Sequence, residues 1–259
     1  MRILETVAVA FGMYSALPMP SFPWNQDNMR HALAAFPLVG AVVGLFCWAW
    51  TALCGAFAVP PLLRGAGLCV LPALVTGGIH LDGYCDTADA LASHGSPERK
   101  REILHDAHCG AFACIRLCVY YVVSFALFCT LAPSPAALWC LGFFFVLSRC
   151  LSGAALCMLQ LAPGSSLAKS FADAADKRRT CTILLLTAAG CLVGLFCFGG
   201  WLLFLAAIGI TAVAAFCCGR TALREFGGIS GDLAGWFLVK EEFWLLAALT
   251  AVQLGGRGL

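Results

Sequence analysis

Charge is scarce in this chain. Only 12% of its 259 residues are Asp, Glu, Lys or Arg, and 61% are hydrophobic. A soluble domain carries about 25% charged residues. The scarcity excludes a large soluble core and describes an integral membrane protein. Excess basic charge is lacking as well: the formal net charge is +2, which argues against nucleic acid as a partner. There is no internal repeat, no low-complexity tract and no appended soluble domain. The sixteen cysteines include no C-x-x-C pair, so a zinc site or a disulfide framework is poorly supported. Most of them, Cys47, Cys54, Cys69, Cys129, Cys140, Cys191 and Cys197 for example, lie in apolar runs, where a free thiol acts as a small buried hydrophobe.

What the chain does have is long uncharged runs. They predict an all-α polytopic protein, one membrane domain over 1–259, with seven spans: 32–63, 65–79, 109–131, 136–160, 180–198, 201–217 and 233–254. Tight turns are expected at Pro133-Ser134-Pro135 and Gly199-Gly200. The N-terminal stretch from Val7 to Leu17 resembles a signal h-region but lacks a small-x-small cleavage site. It reads as a retained interfacial or re-entrant helix, about 15 residues against the ~20 needed to span.

Charge placement tests this arrangement. Outside the spans, every acidic residue from Asp27 to Asp232 falls in the segments 18–31, 80–108, 161–179 and 220–232. Arg30, Arg99, Lys100, Arg101, Lys169, Lys177, Arg178, Arg179, Arg220 and Arg224 fall there too, while the opposite turns keep only Arg64 and Arg257. The positive-inside rule makes the loaded side cytoplasmic, in a multi-pass plasma (inner) membrane protein. Segment 80–108 is too long for a mere connector and is the expected catalytic loop.

That segment carries the chemistry. It opens Gly77-Gly78-Ile79-His80-Leu81-Asp82-Gly83-Tyr84-Cys85-Asp86-Thr87-Ala88-Asp89. Asp82, Asp86 and Asp89 are spaced i, i+4, i+7, one face of a helix. Three like charges so placed repel unless a cation joins them, and a hard divalent ion prefers such oxygen ligands. Ser96-Pro97 marks a helix start. Glu102 and Asp106 follow at i, i+4, so Asp106 is a further candidate ligand or base. His80, His94, His105 and His108 raise a zinc alternative. His105 and His108 lack the H-E-x-x-H spacing, however, and the carboxylates favour magnesium. His80 and His105 are candidate phosphate contacts.

Other charges lie deeper. Arg116 stands on the order of 10 Å inside its span at 1.5 Å per residue, and Arg149 deeper still. Intramembrane charges are functional candidates by default. Both are expected to clamp phosphate or to pair with a carboxylate. Gly227-Gly228-Ile229-Ser230-Gly231-Asp232 precedes the last helix and offers backbone N–H groups to an anion, with Asp232 an alternative helix cap. Lys240 and Glu242, two to three turns on, need partners.

At these residues the chain resembles the cobalamin synthase family of adenosylcobinamide-GDP ribazoletransferases. Phe36-Pro37-Leu38-Val39-Gly40 through Gly44, Gly78–Gly83 with Asp86–Asp89, Glu102–Asp106 through Gly110, Ser148-Arg149, and Gly228–Asp232 match its motifs nearly end to end. The chain departs from the usual family pattern at Ala90 and Ala16. The resemblance implies a Mg²⁺-dependent phosphotransferase. It would join adenosylcobinamide-GDP to α-ribazole, or its 5′-phosphate, with release of GMP, late in cobalamin (vitamin B12) biosynthesis. On this reading Asp82, Asp86, Asp89 and Asp106 hold the metal, with Asp89 or Asp106 as the base. His80, His105, Arg116, Arg149, Asp232 and Lys240 contact substrate. Two other classes stay open: a membrane phosphotransferase of the CDP-alcohol type, whose D-G-x-x-A-R pattern is absent, and a transporter. Self-association is left open.

Overall fold

Serine and proline set where the helices begin. The computed structural model describes residues 2–20, 22, 29, 31–165 and 176–256, and its regular elements are all helical. They are α1 (Arg2–Tyr14), α2 (Ala32–Ala56), α3 (Pro61–Thr76), α4 (Ile79–Ala92), α5 (Pro97–Leu104), α6 (Ala111–Thr130), α7 (Pro135–Met158), α8 (Lys177–Thr221) and α9 (Gly231–Leu254), with a π-helical turn at Ala222–Phe226. Pro61, Pro97 and Pro135 each take the first turn, where a missing N–H costs nothing. Ser96, Ser134 and Ser230 cap α5, α7 and α9 through their hydroxyls.

Four helices are long and apolar enough to cross a membrane: α2, α6, α7, and α8 taken through Phe226. The bent pair of α3 and α4 makes a fifth if it counts as one span. The protein is therefore multi-pass. The long α8 breaks at Gly200, whose φ of 73° suits glycine. Its two arms return side by side. Leu184 of the first arm meets Gly153 of α7, while Ala214 and Cys218 of the second pack with Leu151 and Ala155 of the same helix. The seven expected spans fall on α2, α3, α6, α7, the two arms of α8, and α9, against the four or five spans that helix length and composition support. At 16 residues α3 is short for a span, and α9 carries Asp232, Lys240, Glu241 and Glu242.

Two expectations change. The run 32–63 is not one helix: α2 stops at Ala56, and Pro60-Pro61 starts α3. Segment 80–108, expected as a catalytic loop with a helical acidic face and a helix start at Ser96, is two helices, α4 and α5. The left-handed pair Gly77 (φ 66°) and Gly78 (φ 80°) turns the chain by 93° between α3 and α4. Helix α1 runs about 20 Å at 1.5 Å per residue, short of a ~30 Å bilayer core. It packs Val9 and Ala10 against Ala32 and Ala35 of α2. Residues 21, 23–28, 30 and 166–175, and with them Asp27, Arg30 and Lys169, lie outside the described residues.

At the centre of the bundle α2 meets α7 closely. A Cβ on Gly40 would fall 2.2 Å from the Phe145 carbonyl oxygen, and one on Gly44 2.9 Å from the Gly142 Cα. The charged segments gather at one end. Lys100 of α5 pairs with Glu225 in the π-helical turn, Arg101 Nη1 donates to the Phe226 carbonyl at 2.9 Å, and Leu161 bridges Ile229.

Candidate active site

Helix α4 displays Asp82 and Asp86 toward a cavity of about 390 Å³, which Asp232, His80, His105, Lys177 and Ser230 also line. Close packing brings the acids together. A Cβ on Gly83 would sit 2.8 Å from the Asp232 Cα, and one on Gly235 3.2 Å from the His80 carbonyl oxygen. Two glycines on facing helices therefore let the first turn of α9 press against α4, beside Asp82 and Asp86. Ser230 holds that turn in place: its hydroxyl accepts from the Leu233 N–H at 3.2 Å.

The electrostatics match the crowding. Burial, then Asp82, Asp232 and Asp89, push the Asp86 carboxyl up to about 7. Asp232 is also raised, chiefly by burial, while its own backbone N–H, His105 and Ser230 oppose the shift. Among the described residues no lysine or arginine forms an ion pair with Asp82, Asp86 or Asp232. Among the described residues this negative charge has no ion-pair partner, and the donors are carboxylate oxygens. That chemistry fits a hard divalent cation, although no three His, Cys, Asp or Glu side chains among the described residues already converge as a ligand group.

Asp89 and Asp106 do not complete the four-carboxylate group expected from the sequence. Asp89 Oδ2 accepts from the Gly110 N–H at 2.6 Å and Oδ1 from the Ala113 N–H at 2.8 Å. Helix α6 begins behind a glycine with no side-chain oxygen, so its bare N–H groups draw in a carboxylate from α4. Asp106 is exposed, and its Oδ1 accepts from the His108 N–H and contacts His108 Nδ1 at 2.7 Å. Those contacts hold its carboxyl below the usual range. A discriminating result is expected at Asp89. Asp89→Asn, which keeps a cap acceptor, should retain most activity. Asp89→Ala should lower stability by about 1 kcal/mol, the usual worth of a cap, read as a melting shift in detergent.

The intramembrane cations stand away from this cavity. Arg149, buried in α7, has Nη1 2.5 Å from Glu242 Oε1 and 2.8 Å from the Phe145 carbonyl. Lys240 Nζ sits 4.2 Å from the Trp236 ring centroid. Arg116 is exposed near Tyr84. None of the three lines the cavity. Of the six expected substrate contacts, the structure brings His80, His105 and Asp232 to the cavity with Asp82 and Asp86. Sequence reasoning missed Lys177, read only as a loop charge, and the apolar wall of Met13, Tyr14, Leu33 and Phe36. The spacing of α1 against α2 is not visible in a linear sequence.

Comparison with known proteins shows the family. A family model described as cobalamin-5-phosphate synthase matches residues 6–250. A protein of Lachnoclostridium phytofermentans is 37% identical over 99% of this chain and 96% of its own length. One of Pseudomonas syringae pv. syringae is 31% identical over 93% and 97%, and one of Clostridium perfringens 29% identical over 92% and 94%. Each is named adenosylcobinamide-GDP ribazoletransferase. No solved structure matches the chain.

Proposed function

The chain belongs to the cobalamin-5-phosphate synthase family, and from that membership we propose the reaction at the α4–α9 cavity. It is the transfer of the corrinoid phosphate of adenosylcobinamide-GDP to α-ribazole or α-ribazole 5′-phosphate. A ribose hydroxyl of the acceptor attacks the corrinoid-linked phosphorus. The new O–P bond forms as the pyrophosphate bond breaks, and GMP leaves with the bridging oxygen. The observation that carries this reading is the acidic group Asp82, Asp86 and Asp232, with no ion-pair partner among the described residues, facing a cavity at the charged end of a membrane bundle.

Asp82, Asp86 and Asp232 would hold Mg²⁺, which when bound neutralises pyrophosphate charge and stabilises the leaving GMP. The chain's own residues supply the rest. Lys177, exposed at the cavity rim, offers a mobile ammonium to phosphate oxygens. His105 lines the cavity close enough to Asp232 to influence it, and its imidazole is the group placed to accept the hydroxyl proton. Asp89 supports the site by fixing α6 against α4. The loaded end of the bundle faces the cytoplasm, where nucleotides are supplied, from a plasma membrane location.

The test is GMP release from adenosylcobinamide-GDP by membranes holding the full chain. Release is expected to require both Mg²⁺ and α-ribazole or its 5′-phosphate. Release indifferent to the acceptor, or transfer from a CDP-alcohol instead, would overturn the reading.

A further inference from the structure

The cavity has two chemically distinct walls. Helices α4 and α9 supply carboxylates, whereas the wall from α1, α2 and α7 is mostly apolar: Met13, Tyr14, Leu33, Phe36 and Leu156, with Cys157 and with Ser152, whose hydroxyl already donates to the Ala234 carbonyl. In the second wall the Tyr14 and Phe36 rings pack with centroids 4.3 Å apart, and Phe36 meets the His80 ring edge-on at 5.5 Å. An aromatic ladder thus runs from the N-terminal helix to a point two residues before Asp82. His80 is 8% exposed, and its Nε2 is buried with no hydrogen-bond partner among the described residues.

We propose that this aromatic wall seats the planar base of the azole riboside acceptor, making Tyr14 and Phe36 specificity-determining residues and α1 a functional part of the site. The inference rests on the reaction proposed above and adds the place of one substrate.

Three arguments select the occupant. The first is size. About 390 Å³ lies within the range of small-molecule sites, and it suits a nucleoside but not a corrin macrocycle with its amide arms. The second is polarity. Guanine, the other planar group in the reaction, carries several donors and acceptors at its edge. Leucine, methionine and phenylalanine would leave these unpaired, a costly mismatch. A benzimidazole has few polar atoms and matches the wall. The third is position. Helix α1 is tied to the site rather than lying loose on a membrane surface: the Ala16 N–H donates to the Val75 carbonyl at 2.9 Å, just before the Gly77-Gly78 bend. A base stacked on Tyr14, with the 3% exposed Phe36 ring backing it, would place its ribose toward Asp82 and Asp86, on the neighbouring wall.

Stacking of a base on an aromatic side chain strengthens binding by about tenfold, so the effect is readable in steady-state kinetics. In membranes holding the full chain, Tyr14→Leu is expected to raise the KM for benzimidazole riboside roughly tenfold. The KM for adenosylcobinamide-GDP should stay within about twofold, and Tyr14→Phe should restore the acceptor KM. Wild type should prefer benzimidazole riboside to imidazole riboside, and Tyr14→Leu should lose that preference. Met13→Trp, which narrows the slot from α1, should penalise benzimidazole riboside more than imidazole riboside. It decides the matter if Tyr14→Leu fails to accumulate. An unchanged acceptor preference in these variants, or a rise confined to the KM for adenosylcobinamide-GDP, overturns the proposal. Failure of the wild type to use any riboside overturns the proposed reaction instead, so the two failures are distinguishable.

Discussion

Membranes carrying Asp82→Ala or Asp86→Ala are expected to release no measurable GMP, a loss of at least ~10³-fold, equivalent to about 4 kcal/mol of transition-state stabilisation. Both side chains line the cavity, and both belong to the acidic group in which burial, and then repulsion, raises Asp86. Pyrophosphate chemistry gives a protein little covalent work to do, so charge neutralisation and positioning account for most of the rate. Removing one carboxylate from the group removes the charge on which both depend. Stability should move the other way. Each substitution deletes one of several like charges that repel in the folded state, so the melting temperature without divalent ions is expected to hold or rise. Lost activity with retained stability separates a functional carboxylate from a structural one, and Asp89 is the internal contrast. Its carboxylate accepts two backbone hydrogen bonds, so Asp89→Ala should lose stability first. Full GMP release in Asp82→Ala or Asp86→Ala would sink the assignment of these residues.

The sequence made Asp82 and Asp86 legible because helical spacing and a glycine pair are local signals. The i, i+4 relation places both on one face of α4, and Gly77-Gly78 marks the bend that turns this face away from α3. The break of α8 at Gly200 and the starts of α5 and α7 are local in the same sense. What escaped reading depends on contacts between distant segments. Asp89 continues the same helical face, yet the N-terminus of α6, 21 residues on, claims its carboxylate. Asp232 joins the acids only because Gly83 and Gly235 permit close helix packing, a relation across about 150 residues of chain. The helical spacing through Asp89 anticipated α4, but the charge that marks the end of the membrane run also made 80–108 read as a loop. The apolar wall of the cavity was hidden for the opposite reason, since its residues are indistinguishable in sequence from those that face lipid.

Arg149 shows how the same limitation changes an expected role. Read alone, a deep arginine in α7 is either a phosphate clamp or the partner of a carboxylate. In the fold, its Nη1 meets Glu242 Oε1 at 2.5 Å and the Phe145 carbonyl at 2.8 Å. Ser148 Oγ donates to the same carboxylate oxygen at 2.7 Å. The Arg149 side chain is 1% exposed and that of Glu242 10%. Breaking such a pair on one side leaves a bare buried charge, at a cost of about 3–5 kcal/mol. Arg149→Met is therefore expected to lower the melting temperature in detergent by roughly 10 °C, taking about 2–4 °C per kcal/mol for a large domain. Glu242→Leu should behave alike. The double variant Arg149→Met/Glu242→Leu should recover most of the loss, because apolar groups of similar volume replace a desolvated pair at little net cost. Position gives the pair a second consequence. Arg149 lies 5.9 Å from the Phe36 ring centroid, and its Cδ would be 2.9 Å from a Cβ on Gly40. The ion pair thus braces the part of α2 that carries the aromatic wall of the cavity. Arg149→Lys is the sharper variant. It keeps the charge but not the planar fork, so stability should fall while the KM for adenosylcobinamide-GDP holds. A large rise in that KM with stability intact would return Arg149 to the role of phosphate ligand.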